Sequence, residues 1–271
     1  MAASRVGSVV RGGSGSAGSH ATTLPQTPTA GNLLLAAMAS TRAGTLTDET
    51  LSGWTRLGSG VRTRASVDCL VSLFGKWSVG GESAPAIVHS AAATCSWTTE
   101  EWAGLDGNFP AGIPEAATMG DLSSGGTTVF NQDETADSNN EWVFAVLGGR
   151  ASAGGDILSA WDASDLTASS PTTQSSNTAA VYTAHGSIAT AATVKNFTAT
   201  AKASSQGSAT AGLIVVGFAL AGGGPPALVL PDVMVGGAED SVAALSVMAT
   251  GARDAAADVG LMSGGARLPL V

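Results

Sequence analysis

The sequence predicts an all-β fold, namely a jelly-roll-like antiparallel β-sandwich that is followed by an extended C-terminal arm. Three observations lead to this prediction. One long segment alternates between apolar and other residues with a period of two, as β-strands do. Further apolar runs recur at intervals of roughly ten residues between clusters of Gly, Ser, Asn and Asp. No convincing helical pattern occurs in residues 1–221, which favours a sandwich or a jelly roll.

The segment Ala65–Val79 carries the clearest strand pattern. Cys69 and Val71 belong to one alternating set, whereas Asp68 and Ser72 belong to the other. This pattern predicts a half-buried strand, and its length predicts a central place in a sheet.

The remaining strands are bounded by turn-forming residues such as Gly80-Gly81 and Asp106-Gly107-Asn108. Loops are predicted at 11–20, 110–126 and 152–178, an acidic loop at 133–137, and a β-bulge near Glu100-Glu101. In chain order, the other predicted strands are Ser4–Val10, Gly31–Ser40, Gly53–Gly58, Pro85–Ser90, Ala92–Leu105, Thr127–Phe130, Glu141–Leu147, Ala179–Thr183, Thr193–Ala201 and Ala209–Leu220.

A Gly/Pro segment at 222–226 divides the chain into a β-sandwich domain at 1–221 and an apolar arm at 227–271. The arm is too short and too poor in aromatic residues to form its own core. We therefore expect it to pack on other copies of the chain, in a homotrimer, or to anchor the protein. An arm lying on its own sandwich and a helix at 239–248 are open alternatives.

Composition excludes several classes of protein. The net charge of −9 disfavours binding to nucleic acid, which needs clustered Lys and Arg. The N-terminus lacks the apolar core of a signal peptide, and the run 211–222 is too short to span a bilayer. We expect synthesis in a cytoplasm and no membrane insertion. The low charged fraction, 12%, suits a protein whose surface is largely covered by neighbouring subunits.

Cys69 and Cys95 both lie within apolar strand-like runs. We interpret them as buried thiols that pack as small hydrophobic residues. A disulfide between neighbouring strands remains open, because the sequence does not give the separation of their Cα atoms.

The sequence predicts no catalytic, cofactor-binding or metal-ligating residue. His20, His89 and His185 belong to no spaced ligand set, and the chain has no CxxC motif. Residues 13–18 match the glycine spacing of a dinucleotide-binding loop, but the prolines that follow are incompatible with the required helix. Asn196 fits the N-glycosylation pattern, which we interpret as chance in a chain without a secretion signal.

Acidic pairs occur at Asp48-Glu49, Glu100-Glu101 and Asp133-Glu134, and at Asp162 with Asp165. Two carboxylates across a cleft could hydrolyse a glycosidic bond, but nothing in the sequence places a pair in one cleft. We interpret them as solvated turns or strand ends. The segment 133–137 lacks the glycine and the terminal glutamate of an EF-hand. Most tryptophans lie in predicted strands, whereas Trp161 lies in a polar segment where it could stack on a sugar.

Several segments, in their order and spacing, resemble β-sandwich proteins from the structural genes of tailed bacteriophages. The similarity covers roughly residues 4–222. The similar segments are structural, and none of them contains a catalytic residue. The segments that carry it are SRVGSVV, TAGNLLLAAMAS, SGWTRLGSG, FGKWSVGGE and WTTEEWAGLDG.

The resemblance implies a non-enzymatic virion structural protein that is displayed on the particle as a minor tail or tail-fibre component. It would associate with itself and with other virion proteins, and it could contact a glycan on the host surface. A capsid decoration or head-fibre protein is the alternative within this class. A carbohydrate-active enzyme or an adhesin built on the same sandwich is the alternative from another class.

Overall fold

The computed structural model describes residues 2–110, 113–122, 126–150, 157–162, 164–169, 174–176, 179–202 and 209–221. None of these residues is helical. The predicted linker at 222–226 and the arm at 227–271 lie outside the described residues. The strands are β1 (Ser4–Ala21), β2 (Leu33–Ala43), β3 (Glu49–Leu51), β4 (Thr55–Arg64), β5 (Val67–Trp77), β6 (Ala86–Ala103), β7 (Glu115–Ala116), β8 (Thr118–Asp121), β9 (Thr127–Thr135), β10 (Glu141–Arg150), β11 (Leu158–Trp161), β12 (Leu166–Ala168), β13 (Gln174–Ser176), β14 (Ala179–Ile188), β15 (Val194–Lys202) and β16 (Thr210–Phe218).

The strands form three sheets, which we call front, middle and back. The front sheet has the order β1-β6-β2-β5-β4-β7, with β3 beside β6. The middle sheet has the order β12-β14-β10-β16-β8, with β13 beside β14, and the back sheet is β11-β15-β9. Paired strands run antiparallel, apart from the short parallel contact of β4 with β7. The predicted antiparallel β-sandwich is confirmed, and the structure adds a third layer to it.

The middle sheet is buried on both faces. On β10, Phe144 and Val146 join the core shared with the front sheet, whereas Val143 and Ala145 join the core shared with the back sheet. A strand that is covered on both faces needs apolar residues at successive positions, not only at alternate ones. This explains the continuous apolar runs in β10, β14 and β16.

Strand β5 lies inside the front sheet between β2 and β4, which confirms its predicted central place. All residues from Asp68 to Gly75 are buried, so the prediction of a half-buried strand is wrong. The reason is a smaller apolar cluster on the outer face of the front sheet, which includes Met38, Phe74 and Trp97. Asp68 is compatible with burial because its carboxylate accepts a hydrogen bond from Leu46 N at 2.6 Å.

Strand β1 extends through the segment 11–20, which the sequence analysis predicted as a loop. This segment pairs with β6, and Gly12 lies against the ring of Trp97, where a Cβ atom would approach Cζ2 to 2.0 Å. Small residues are therefore needed here for contact with the indole, and they do not indicate a loop. The register of the β1–β6 pair shifts between Val6 and Val10, which lie opposite Glu101 and Thr99. An irregularity therefore lies near Glu100-Glu101 as predicted, but its extra residues belong to β1, and β6 itself pairs regularly with β2.

Further boundaries differ from the predictions. The predicted loops at 110–126 and 152–178 contain short strands, which are β7 and β8 in the first segment and β11, β12 and β13 in the second. The predicted strands at 85–90 and 92–105 form one continuous strand, β6. Strand β9 runs to Thr135 and includes most of the predicted acidic loop. Its residues Asp133 and Glu134 pair with β15, so backbone hydrogen bonding extends beyond the apolar pattern.

The two cysteines are free and buried. Cys69 packs in the core between the front and middle sheets, whereas Cys95 packs on the outer face of the front sheet. Strand β2 lies between their strands. Burial raises the pKa of Cys69 to about 12 and raises that of Cys95 further. The buried-thiol interpretation is confirmed, and a disulfide between these two positions has no geometric basis in this fold.

We expect both thiols to resist alkylation in the folded protein, because the reactive thiolate forms poorly in an apolar environment. Iodoacetamide at pH 8, followed by mass spectrometry, should label neither Cys69 nor Cys95 before denaturation and both after it. The unfolded sample is the control for reagent activity. Rapid stoichiometric labelling of the folded protein would contradict the burial described here.

Candidate functional site

A groove of about 720 Å³ opens at one end of the layers, and we call it the end cleft. It lies where β10 begins and where β14 and β16 end, because Trp142 pairs with both Ser187 and Phe218. Its walls combine amide, hydroxyl, aromatic and charged side chains. The lining residues are Ala2, Ala3, Asn139, Asn140, Trp142, Ser164, Asp165, Thr167, His185, Gly186, Ser187, Lys195 and Leu220.

Aromatic rings form the inner wall of the end cleft. The rings of Trp142 and Trp102 have centroids 4.5 Å apart, and His185 lies 4.9 Å from Trp102. The Trp142 side chain is 5% exposed, and its indole nitrogen has no hydrogen-bond partner among the described residues. An indole N–H that loses contact with water normally finds an acceptor, so the Trp142 N–H is a buried, unsatisfied donor behind the wall of the cleft.

The surroundings of His185 favour the neutral form of its imidazole. Burial lowers its pKa, and the positive charge of Arg5 lowers it further. Its Nδ1 atom lies 3.0 Å from the hydroxyl of Ser169. A neutral imidazole beside the indole provides a polar edge without a net charge.

The outer wall of the end cleft carries an ion pair. Lys195 Nζ lies 2.6 Å from Asp165 Oδ1, and both side chains are partly exposed. Asn140 adopts a left-handed conformation with φ of 57°, which Asn tolerates better than most residues. Asn139 accepts a hydrogen bond from Ala191 N at 2.9 Å, which fixes its amide. Donors and acceptors therefore surround the apolar wall at fixed positions.

The chemistry of this cleft suits a polyhydroxylated ligand. Such ligands need an apolar surface for ring C–H groups, together with several fixed polar partners for hydroxyl groups. Of the side chains considered in the sequence, Asp165 and His185 lie in the cleft. Trp161 instead packs against the core between the middle and back sheets, and Asp162 accepts hydrogen bonds from Ser164. Neither Trp142 nor His185 was predicted as a site residue, because both lie in strands whose apolar pattern is typical of a protein core.

Three of the acidic residues interpreted as solvated are buried, so that interpretation is wrong for them. Glu49, Glu100 and Glu101 are each at most 1% exposed. Glu49 accepts a hydrogen bond from Ser40, and Glu101 accepts two from the segment between β1 and β2. Strand β6 is covered on both faces around Glu100 and Glu101, which alternation in the sequence does not reveal, whereas Glu49 lies on the buried face of β3. Asp48 is half exposed and pairs with Arg56.

Glu100 lies between the front and middle sheets. Its Oε1 atom accepts a hydrogen bond from the hydroxyl of Thr183 at 2.6 Å. Burial raises the pKa of Glu100 to about 7, although this hydrogen bond and the charge of Arg5 act in the opposite direction. This carboxyl therefore lies inside the sandwich, where it joins the front sheet to the middle sheet through Thr183.

A second, smaller cavity of about 270 Å³ lies beside the end of β9, and we call it the acidic cavity. Glu115, Asp133, Glu134 and Asp137 contribute to its lining. Burial, together with the charge of Glu141, raises the pKa of Glu134 to about 8. The interpretation of Glu134 as a fully solvated side chain is therefore wrong, whereas Asp133 is exposed.

The other histidines form a buried polar cluster. His20 contacts the hydroxyl of Ser14, and its Nε2 lies 2.9 Å from Ala93 O. The ring of His89 lies 4.9 Å from that of His20, and its Nδ1 lies 3.3 Å from the carboxylate of Glu49. The cluster is only partly satisfied, because Glu49 Oε1 and His89 Nε2 are buried without a hydrogen-bond partner among the described residues. The glycines of the dinucleotide-like motif at 13–18 lie in β1, where a strand rather than a helix follows them.

Within the described ranges, no group of three or more His, Cys, Asp or Glu side chains is arranged to hold a metal ion. Over the same residues, no helix has the length and apolar character needed to span a bilayer. Comparisons with protein-family models, with curated proteins and with solved structures found no match to this chain.

We expect the substitution Glu100→Gln to remove part of the pH dependence of stability. A carboxyl whose pKa is higher in the folded state favours folding at low pH, and this contribution is lost as pH rises from about 4.5 to 7. The loss is about 3 kcal/mol at most, at 1.36 kcal/mol per pH unit. Urea unfolding at pH 5 and pH 8 should therefore show a smaller decrease for Glu100→Gln than for the unsubstituted protein.

The matched control is Asp106→Asn, which removes an exposed carboxylate and preserves the turn acceptor. Its pH dependence should follow that of the unsubstituted protein. Equal pH dependence in all three proteins would contradict the assignment of a raised pKa to Glu100.

Proposed function

We propose that this chain is a non-enzymatic structural protein of a bacteriophage virion, displayed on the particle as a minor tail or tail-fibre component. The order of the phage-like segments in residues 4–222 supports this proposal. Three packed layers also suit display, because a protein in which the middle sheet is covered on both faces offers proteases little accessible backbone.

The proposed binding site is the end cleft. It binds a glycan of the host surface, with His185 against the sugar ring and with Asp165 and Lys195 bonded to hydroxyl groups. Each single contact is weak, but several displayed copies engage one polysaccharide surface together. Association of copies through residues 227–271 provides this multivalency.

We expect Lys195→Gln to weaken binding to a glycan array by roughly tenfold, the effect of one lost charge-assisted hydrogen bond. The matched control is Lys202→Gln, at the opposite end of the same strand, which should bind like the unsubstituted protein. Equal binding by both variants would contradict the role of the end cleft. Turnover of the bound polysaccharide by the purified protein would contradict the non-enzymatic assignment.

We expect deletion of residues 225–271 to leave a monomeric sandwich, whereas the full chain forms oligomers, because the apolar arm has no core of its own. Light scattering and thermal unfolding measure both properties. A monomeric full chain whose melting temperature does not change on truncation would contradict the proposed role of the arm. Antibody labelling of particles then separates a tail protein from a capsid decoration protein.

A further inference from the structure

A serine hydroxyl and a histidine ring meet at the edge of the front sheet. Ser14 and His20 both belong to β1, which is the edge strand of this sheet and pairs there with β6 alone. Ser14 is exposed, whereas His20 is only 3% exposed. Solvent therefore reaches the serine, while the imidazole is held inside the protein.

The hydrogen bonds of His20 determine which of its ring nitrogens carries the proton. Its Nε2 atom lies 2.9 Å from Ala93 O, and a carbonyl oxygen only accepts hydrogen bonds, so Nε2 carries the hydrogen. In the neutral ring Nδ1 is then an acceptor, and it contacts the hydroxyl of Ser14. A second acceptor near this hydroxyl, Gly15 O, lies at 3.3 Å, which is long for an O–H···O bond. The hydroxyl of Ser14 therefore donates to Nδ1.

The surroundings of His20 favour its unprotonated form. Burial lowers the pKa of His20, and the ring of His89, 4.9 Å away, lowers it further. The hydrogen bond to Ala93 O and the charge of Glu49 act in the opposite direction but do not reverse the shift. An unprotonated ring that already accepts a hydrogen bond from a hydroxyl can accept its proton as well.

The backbone beside Ser14 is irregular. The register of the β1–β6 pair shifts between Ser14 and Ala17, so Gly15 and Ser16 have no partner residue on β6. Bulges often re-aim a side chain next to a functional site, and backbone N–H groups outside a ladder can bind a developing oxyanion. A nucleophile, its base and an acceptor that orients the base thus lie together, which is the arrangement found around activated serines.

We propose that Ser14 is an activated nucleophile that takes up the acyl group of a carboxylic ester, with His20 as its general base. The bond between Oγ and the acyl carbon forms, and the C–O bond of the ester breaks. The hydroxyl proton passes to Nδ1 of His20 and from there to the departing alkoxide. The product is one acyl group on Ser14, so the step is a covalent modification of the chain. It goes beyond the proposed virion role and does not depend on it.

The test is labelling of the full chain with diisopropyl fluorophosphate, which forms an Oγ–P bond with loss of fluoride, followed by peptide mass spectrometry. We expect one adduct per chain, on Ser14, formed roughly a hundredfold faster than on any other serine, because general-base catalysis contributes at least this factor. Ser14→Ala should abolish the adduct. The matched control is Ser8→Ala, which removes another exposed serine of β1 and should keep the full rate.

The dependence of the labelling rate on pH separates activation from simple exposure. Because His20 must be unprotonated and its pKa lies below the ordinary 6.5, the rate should be level from pH 7 to 8.5 and should fall below pH 6. An unassisted hydroxyl would instead react about tenfold faster for each pH unit, as its alkoxide fraction rises. His20→Gln should lower the rate roughly a hundredfold at pH 7.5, with Ser14 still present. If this variant does not fold, the pH profile of the unsubstituted protein decides.

The acyl transfer itself is measured with p-nitrophenyl acetate, which should release a burst of about one p-nitrophenolate per chain. Continued release after the burst would support Ser14 as the nucleophile and contradict the non-enzymatic assignment. Labelling by the fluorophosphate without a burst would overturn the acyl transfer. No adduct on Ser14, equal labelling of Ser14 and Ser8, or a rate that rises steadily with pH would overturn the proposal.

Discussion

The burial of the middle sheet on both faces is the constraint on which the rest of this structure depends. Strands β10, β14 and β16 can supply apolar residues to two cores only if other sheets cover each side. The front and back sheets do so, and burial of apolar area contributes ~25 cal/mol per Å² to this arrangement. Polar groups that enter the layers must therefore find partners inside the protein.

The buried carboxyl groups follow from that constraint. Glu100 meets a hydroxyl of the middle sheet, Glu101 meets backbone and amide donors outside the front sheet, and Glu49 meets Ser40. Glu134 and Glu141 differ from these three because the Oε1 atoms of both lie beside the backbone of Gly217. Each of the first three carboxyl groups is only partly satisfied, because Glu49 Oε1, Glu100 Oε2 and Glu101 Oε2 are buried without a hydrogen-bond partner among the described residues.

The sequence predicted the strongest strands well, because β2, β5, β10 and β16 carry dense apolar runs whose type is clear without tertiary information. It did not predict β1 through 11–20, since that strand depends on pairing with β6 and on contact with Trp97. Nor could it predict the end cleft. Trp142 and His185 meet there only because β10 and β14 pair. From the sequence alone, each is indistinguishable from an ordinary core residue. The alternation of apolar and polar residues likewise does not predict the burial of Glu100 and Glu101, because both faces of β6 are covered there.

The division of the sheets along the chain bears on biosynthesis. Strands β1 to β7 complete the front sheet from residues 4–116, and the strands that cover its inner face come later in the sequence. When only the first half of the chain has left the ribosome, Leu35, Val71 and Leu73 are therefore exposed to solvent, because the middle sheet that buries them has not yet been made. Nascent chains are most prone to aggregate in this interval, which ends once β10 and β16 emerge and dock.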